Sequence, residues 1–220
     1  MYFIVFVHEL GHIVNALLFN WNIEKIKIYP FGGYTIFNAD INKPFIEELL
    51  VFNGGILFQF ILFILVKIFM NESLYIYQLF MNYNLSILLF NLLPIIPLDG
   101  AKVLNILLNK FISFRKSHKI TMYISVLSII ILIVCFYSDL NMIMISIILI
   151  CFLYKECKNR IYLYNMFLIE RYIKNINYKN NCFIDGIHID KMKKYVNNVF
   201  IYKNKYIDEK DVLSKKYSCH

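Results

Sequence analysis

The chain has 220 residues, of which 59% are hydrophobic and 17% charged, and its mean hydropathy is +0.56. A soluble domain carries roughly 45 to 50% apolar and 25% charged residues, so this composition excludes an ordinary soluble globule and predicts an α-helical integral membrane protein. The net charge of +8 has no nucleic-acid-binding motif beside it, which excludes nucleic acid as the expected partner.

Apolar runs near the 20 residues needed to span a bilayer fall at 1–19, 49–70, 74–97, 120–137 and 140–154. They predict five transmembrane helices, the last two forming a tight hairpin. The first run, MYFIVFVHELGHIVNALLF, sets His8, Glu9 and His12 among apolar neighbours. Histidines four apart fall on nearly one face of a helix, about 6 Å apart along its axis, so both imidazoles can reach one metal ion. Glu9 lies about 100° round from His8, close enough to take a proton from water at that ion without occupying a coordination position. This HExxH spacing suits one Zn²⁺ held by neutral imidazoles, with a carboxylate as base. The short pattern also arises by accident on polar helix ends. Inside a membrane, however, each ionisable group costs about 2.5 to 3.5 kcal/mol and marks a function by default, and three within five residues call for a metal.

Lysines and arginines between the runs set the expected orientation. Lys25, Lys27 and Lys43 follow the first run, none lies at 71–73, and Lys102, Lys110, Arg115, Lys116 and Lys119 precede the fourth. None lies at 138–139, basic residues return beyond Tyr154, and only Lys67 stands against the alternation. The connections around Lys25 and Lys116 and the C-terminus are therefore expected in the cytoplasm. The first helix then runs inward from the far side, which leads us to expect a further span before Met1, six in all. The first run has no basic leader and holds the HELGH cluster itself, so it does not read as a cleavable signal peptide.

Between the first two runs, IEKIKIYPFGGYTIF alternates around Gly32 and Gly33 and predicts a short β-hairpin. Near a membrane such an edge must be buried or paired. It either connects the helices or receives an extended substrate by strand addition. The second run carries Asn53, Gly54 and Gly55, then Gln59. The small residues permit close packing on the first helix, while Asn53 offers a second use, pointing into the site to hold a substrate backbone. The third run ends in NLLPIIPLDG, where Pro94 and Pro97 cannot sit in an unbroken helix. Unwound backbone at membrane depth is tolerated only where protein or a water-filled cavity satisfies it. Asp99, just beyond the break, is thus placed either to cap the following helix or, as we favour, to serve as third ligand beside His8 and His12, a normal open set for zinc.

Beyond Tyr154 stand 14 of the 23 basic residues, against seven acidic ones. They read either as a solvated cytoplasmic tail or as a surface for anionic lipid or an acidic partner. We divide the chain into a transmembrane domain at 1–157 and a short basic region at 158–220, small and α+β, with a hairpin at 199–208. Cys135, Cys151, Cys157, Cys182 and Cys219 form no CxxC pair and are expected as core-filling residues or free thiols in a reducing compartment, not as disulfides or metal ligands.

HELGH, followed about 90 residues later by NLLPIIPLDG with PFGGY between, resembles the site-2 protease family of intramembrane zinc metalloproteases, and within it the stage IV sporulation protein FB group of spore-forming bacteria. The resemblance covers residues 1–100. It implies zinc on His8, His12 and Asp99, Glu9 as general base and acid, and Asn91 near the site. It further implies a membrane-associated substrate, the pro-sequence of a sporulation sigma factor, cut at the cytoplasmic side of the outer forespore membrane, and inhibitory membrane proteins as partners. Family members usually have a span before the HExxH helix. Sporulation members commonly end in a nucleotide-sensing domain, for which 160–220 shows no signature, so ATP binding is not carried over.

Two other readings use the same residues. A metal transporter would need polar groups through both leaflets, and the last two runs offer only Ser125, Ser128 and Ser146, with Thr121 and Asn141 at their ends. An inactive relative would bind a substrate or regulator without cutting it.

Overall fold

The computed structural model describes residues 1–217 apart from 30, 31, 38, 39, 72 and 175, and over 23–37 it describes the backbone. Two members of the PFGGY motif, at 30 and 31, and the cysteine at 219 lie outside the described residues. The order is α1 (Tyr2–Leu18), β1 (Ile23–Tyr29), β2 (Gly32–Phe37), α2 (Phe45–Phe69), α3 (Tyr75–Leu92), α4 (Asp99–Phe111), α5 (Phe114–Cys135), α6 (Leu140–Ile173), β3 (Asn181–Asp185), β4 (Asn197–Tyr202), β5 (Lys205–Asp208) and α7 (Glu209–Tyr217). A helix stands at each predicted run. Three of them, α2, α5 and α6, are long and apolar enough to cross a membrane, and α1 is a shorter apolar helix. Gln78, Asn82, Asn84, Ser86 and Asn91 dilute the apolar character of α3.

The hairpin expected after the first helix is present, β1 antiparallel to β2 with Ile28 opposite Gly33 and Tyr29 opposite Gly32. It packs against α1 through β2. α1 itself lies on α2, and glycine sets how close the two come. A Cβ on Gly11 would strike the Gly54 carbonyl, and one on Gly54 would strike Gly11 and the Asn15 amide. The small residues of the second run therefore act as packing residues, bringing two backbones into contact.

The two prolines do break the third helix. α3 ends at Leu92 and α4 starts at Asp99, leaving 93–98 to find partners outside a helix. Part of that need is met locally, Ile95 N donating to the Leu93 carbonyl and Leu98 N to the Ile95 carbonyl, and Ser125 of α5 adds to it: its Oγ accepts from Ile96 N at 3.2 Å and lies 3.1 Å from the Pro94 carbonyl. Gly100 then lets the first turn of α4 close onto the end of α3, since a Cβ there would collide with the Leu92 and Leu93 carbonyls. Its role is close approach rather than unusual dihedral angles.

α6 runs without interruption through 157–158. Past Tyr154 its buried residues become Phe167, Leu168 and Arg171, which cover a three-stranded sheet ordered β3-β4-β5. β3 and β4 are parallel, joined across a 3₁₀ turn at Ile189–Lys191. β4 and β5 are antiparallel, Val199 opposite Asp208, as the hairpin at 199–208 predicts. Lys203 and Asn204 between them both take positive φ, 50° and 59°, the conformation a two-residue hairpin turn needs.

This C-terminal unit is docked, not loose. Phe114 of α5 stacks on Phe167 with centroids 4.4 Å apart, inside a core that includes Ile184, Met192, Phe200 and Leu213. Arg171 is only 1% exposed. It donates to Glu209 Oε1 and to Asn42 Oδ1, each at 3.0 Å, and to the carbonyls of Lys193, Lys194 and Val196. Lys194 Nζ reaches Glu48 at the start of α2, at 2.5 and 2.7 Å. Tyr195 donates to the same carboxylate, and burial together with that carboxylate pushes its hydroxyl well above the usual tyrosine range. Four described cysteines are free thiols.

Replacing Ser125 by Ala should leave Ile96 N without the acceptor it has in the opened segment. A loss of about 1 to 3 kcal/mol is expected, measurable as a lower thermal midpoint in detergent. An unchanged midpoint would show that the segment does not depend on the hydroxyl.

Candidate metal centre

One stripe of α1 is buried: Ile4, Val5, His8, Glu9, Gly11, His12 and Ala16. The spacing follows the helical period, so the apolar residues that seat the helix also carry the ionisable ones inward. The His8 and His12 rings lie nearly perpendicular, centroids 4.9 Å apart.

Hydrogen bonds on the far side of each ring fix which nitrogen is available. Gln59 Nε2 is 2.8 Å from the Asn84 carbonyl. A carbonyl can only accept, so the side-chain oxygen of Gln59 must be the atom facing His8 Nδ1 at 3.1 Å, and Nδ1–H must donate to it. His12 Nδ1 lies 2.8 Å from the Val51 carbonyl and must likewise donate. Both imidazoles therefore present Nε2 inward. This is the arrangement in which a second layer of acceptors orients metal-ligating histidines.

The two Nε2 atoms are 3.3 Å apart, and each lies 2.9 Å from Asp99 Oδ2. With Nδ1 protonated, neutral rings aim two lone pairs at each other and at a carboxylate oxygen. A proton on one ring would relieve a single contact, whereas a divalent cation would relieve all three. The ligand atoms of His8, His12 and Asp99 lie within 4.8 Å of one another. A Cβ on Gly55 would come within 2.5 Å of both Nε2 atoms, so α2 leaves the space at the ring tips open. The donor set, two imidazoles and one carboxylate, is that of an open zinc site.

Asp99 is the first residue of α4, and Leu98 takes the cap position. Its side chain is turned to the histidines and to Lys102, not to the helix it begins. Lys102 Nζ holds Oδ1 at 2.9 Å, which leaves Oδ2 as the single oxygen offered to the site.

Asn91, near the end of α3, brings Nδ2 to 3.4 Å from His8 Nε2. Glu9 is buried beside His8. Asn53 donates to the Leu49 carbonyl one turn back in its own helix, and Gly32 and Gly33 begin β2, the strand against α1. Gln59, Val51 and Lys102 are the supporting residues that sequence reasoning did not assign. Gln59 had a signal, an amide in an otherwise apolar run with no visible partner. The Val51 carbonyl had none.

The sequence model of peptidase family M50 matches residues 1–76 and 67–134. Stage IV sporulation protein FB of Bacillus subtilis is 36% identical over 77% of this chain and 61% of its own length. A zinc metalloprotease of Methanocaldococcus jannaschii is 30% identical over 80% of this chain and 51% of its own. The chain thus spans about half to three fifths of the curated relatives it matches. The solved site-2 protease from Methanocaldococcus jannaschii superposes with a TM-score of 0.57 at 30% identity, over 70% of this chain and 74% of that one. Two overlapping matches that together cover 1–134, along with a shared fold, carry one conclusion: the chain belongs to peptidase family M50.

Proposed function

We propose that this protein is an intramembrane zinc metalloprotease that hydrolyses a peptide bond of a membrane-associated protein near the cytoplasmic face. The observation that carries the reading is the convergence of His8 Nε2, His12 Nε2 and Asp99 Oδ2 with both Nδ1–H groups already committed. These three atoms would hold one zinc ion, which when bound supplies Lewis acidity toward the scissile carbonyl and lowers the pKa of water.

The chain's own residues do the rest. Gln59 and Val51 hold the rings, and Lys102 holds Asp99. The Glu9 carboxylate accepts the proton of the attacking water as its oxygen adds to the carbonyl carbon, then delivers that proton to the amide nitrogen as the C–N bond breaks. Asn91 positions the substrate beside His8. β2, with Gly32 and Gly33, offers an edge along which an unwound substrate can lie extended, and in this reading Asn53 holds substrate backbone through the amide atoms left over from its bond to the Leu49 carbonyl.

The likeness to a sporulation protein supports the pro-sequence of a sporulation sigma factor as substrate, with the outer forespore membrane of a bacterial cell as the location. Membrane proteins that inhibit the protease would be its other partners. Lysine and arginine placement supports five spans in this chain and a cytoplasmic C-terminus, with 1–157 as the protease domain and 158–220 as a short basic region that α6 carries and that docks on the same framework.

Glu9→Gln should keep zinc and reduce cleavage of a co-expressed substrate by about 10² to 10⁴-fold, while Asp99→Ala should lose both. Full activity in Glu9→Gln would remove the mechanism. Gln59→Leu takes away the acceptor that fixes His8, and zinc affinity by chelator competition should fall about 10- to 100-fold; an unaltered affinity would show that His8 is oriented by something else.

A further inference from the structure

α5 and α6 change character at the same height. α5 opens with Arg115, Lys116, His118 and Lys119 before its apolar run begins at Ile120, and the apolar run of α6 ends at Tyr154, with Lys155 and Glu156 next. His118 Nε2 and Glu156 Oε1, 3.4 Å apart, show that the two boundaries lie side by side. That height is where a bilayer's apolar interior gives way to its headgroups.

Between those helix ends and the first turns of α4 lies a pocket of about 250 Å³ whose lining includes Lys102, Asn105, His118, Thr121, Lys155 and Glu156. The volume is several times the roughly 30 Å³ a water occupies in the liquid, enough for a phosphate group. Two ammonium groups, from α4 and α6, line one small space with a single carboxylate. His118 is 9% exposed, and its Nε2 has the 3.4 Å approach to Glu156 but makes no hydrogen bond among the described residues. Asn105 turns its oxygen to Thr121 Oγ1 at 3.5 Å, which leaves its amide N–H group as a donor. The pocket thus gathers more donors than acceptors, as a site for an anion does.

We propose that this pocket binds the phosphodiester of an anionic membrane lipid between Lys102 and Lys155, with the His118 imidazole and the Asn105 amide as further donors. The position argues for a lipid. Lys155 is the first charged residue after the apolar stretch of α6, and Phe152 one turn before it lines the pocket together with Ile96 and Pro97. Acyl chains can lie against those apolar side chains while the phosphate enters. Lys102 makes the pocket consequential, because the same ammonium holds Asp99 Oδ1 at 2.9 Å. A phosphate there competes for it and changes how firmly Asp99 is held. Lipid binding does not depend on the hydrolase reading; the coupling to Asp99 rests on it.

The test uses the full chain in nanodiscs of phosphatidylcholine doped with phosphatidylglycerol, with retained lipid counted by native mass spectrometry. One phosphatidylglycerol should be retained in preference to phosphatidylcholine. Lys155→Glu should weaken retention about tenfold or more, Lys155→Arg should preserve it, and Lys205→Glu, on the exposed tail hairpin, should leave it unchanged. Equal retention by Lys155→Glu, or no preference over phosphatidylcholine, would overturn the assignment. So would saturation by millimolar inorganic phosphate or an acidic peptide without lipid preference. Zinc release to a chelator should differ between discs with and without phosphatidylglycerol in the unaltered protein and not in Lys155→Glu. Identical release in both discs, with lipid still retained, would overturn the coupling alone.

Discussion

Two imidazole nitrogens and a carboxylate oxygen within 3.3 Å of one another, all buried, repel unless positive charge sits among them. The rest of the centre is built to keep them there. The Nδ1 side of each ring is tied to an acceptor on α2, the second oxygen of Asp99 is tied to Lys102, and Gly55 keeps a side chain from filling the gap. Each tie narrows the freedom of one ligand, so the three cannot relax apart without breaking a buried hydrogen bond at a cost of about 1 to 3 kcal/mol.

Those ties require the helices to be very close and one of them to be broken. Contact at Gly11 and Gly54 lets the Val51 carbonyl and the Gln59 amide reach the histidines. The break at Pro94 and Pro97 lets Asp99 start a new helix aimed at α1, and Ser125 makes the break tolerable by bonding the peptide groups that the prolines displaced. The C-terminal unit is joined to the same framework. Lys194 pairs with Glu48, three residues before Val51 on α2, and Arg171 ties the segment at Asn42 to α7. The C-terminal unit thus holds α2 one turn from the residue whose carbonyl orients His12.

Much of this was legible in the sequence wherever the signal is local. HELGH states its own geometry because helical spacing fixes which side chains share a face. The two prolines announce a break, and alternation around Gly32 and Gly33 announces a hairpin. Ser125 was visible as a polar residue in an apolar run, but nothing local tells which backbone it serves. Gln59 and Lys102 needed the register of one helix against another, and Val51 acts through its carbonyl, which every residue possesses. The docking of the tail was hidden for a related reason. Arg171 and Lys194 look like members of a basic surface, and only long-range pairing with Glu209 and Glu48 removes them from water. The continuous α6 was hidden too, because its helical period persists while its composition turns from apolar to charged after Tyr154.

Zinc K-edge X-ray absorption on the purified full-length chain in nanodiscs tests the central claim most directly. The account predicts a first shell of nitrogen and oxygen only, near 2.0 to 2.2 Å, with outer-shell scattering from two imidazoles that drops to one in His12→Ala. A shell containing sulfur, or one without imidazole scattering, would contradict it.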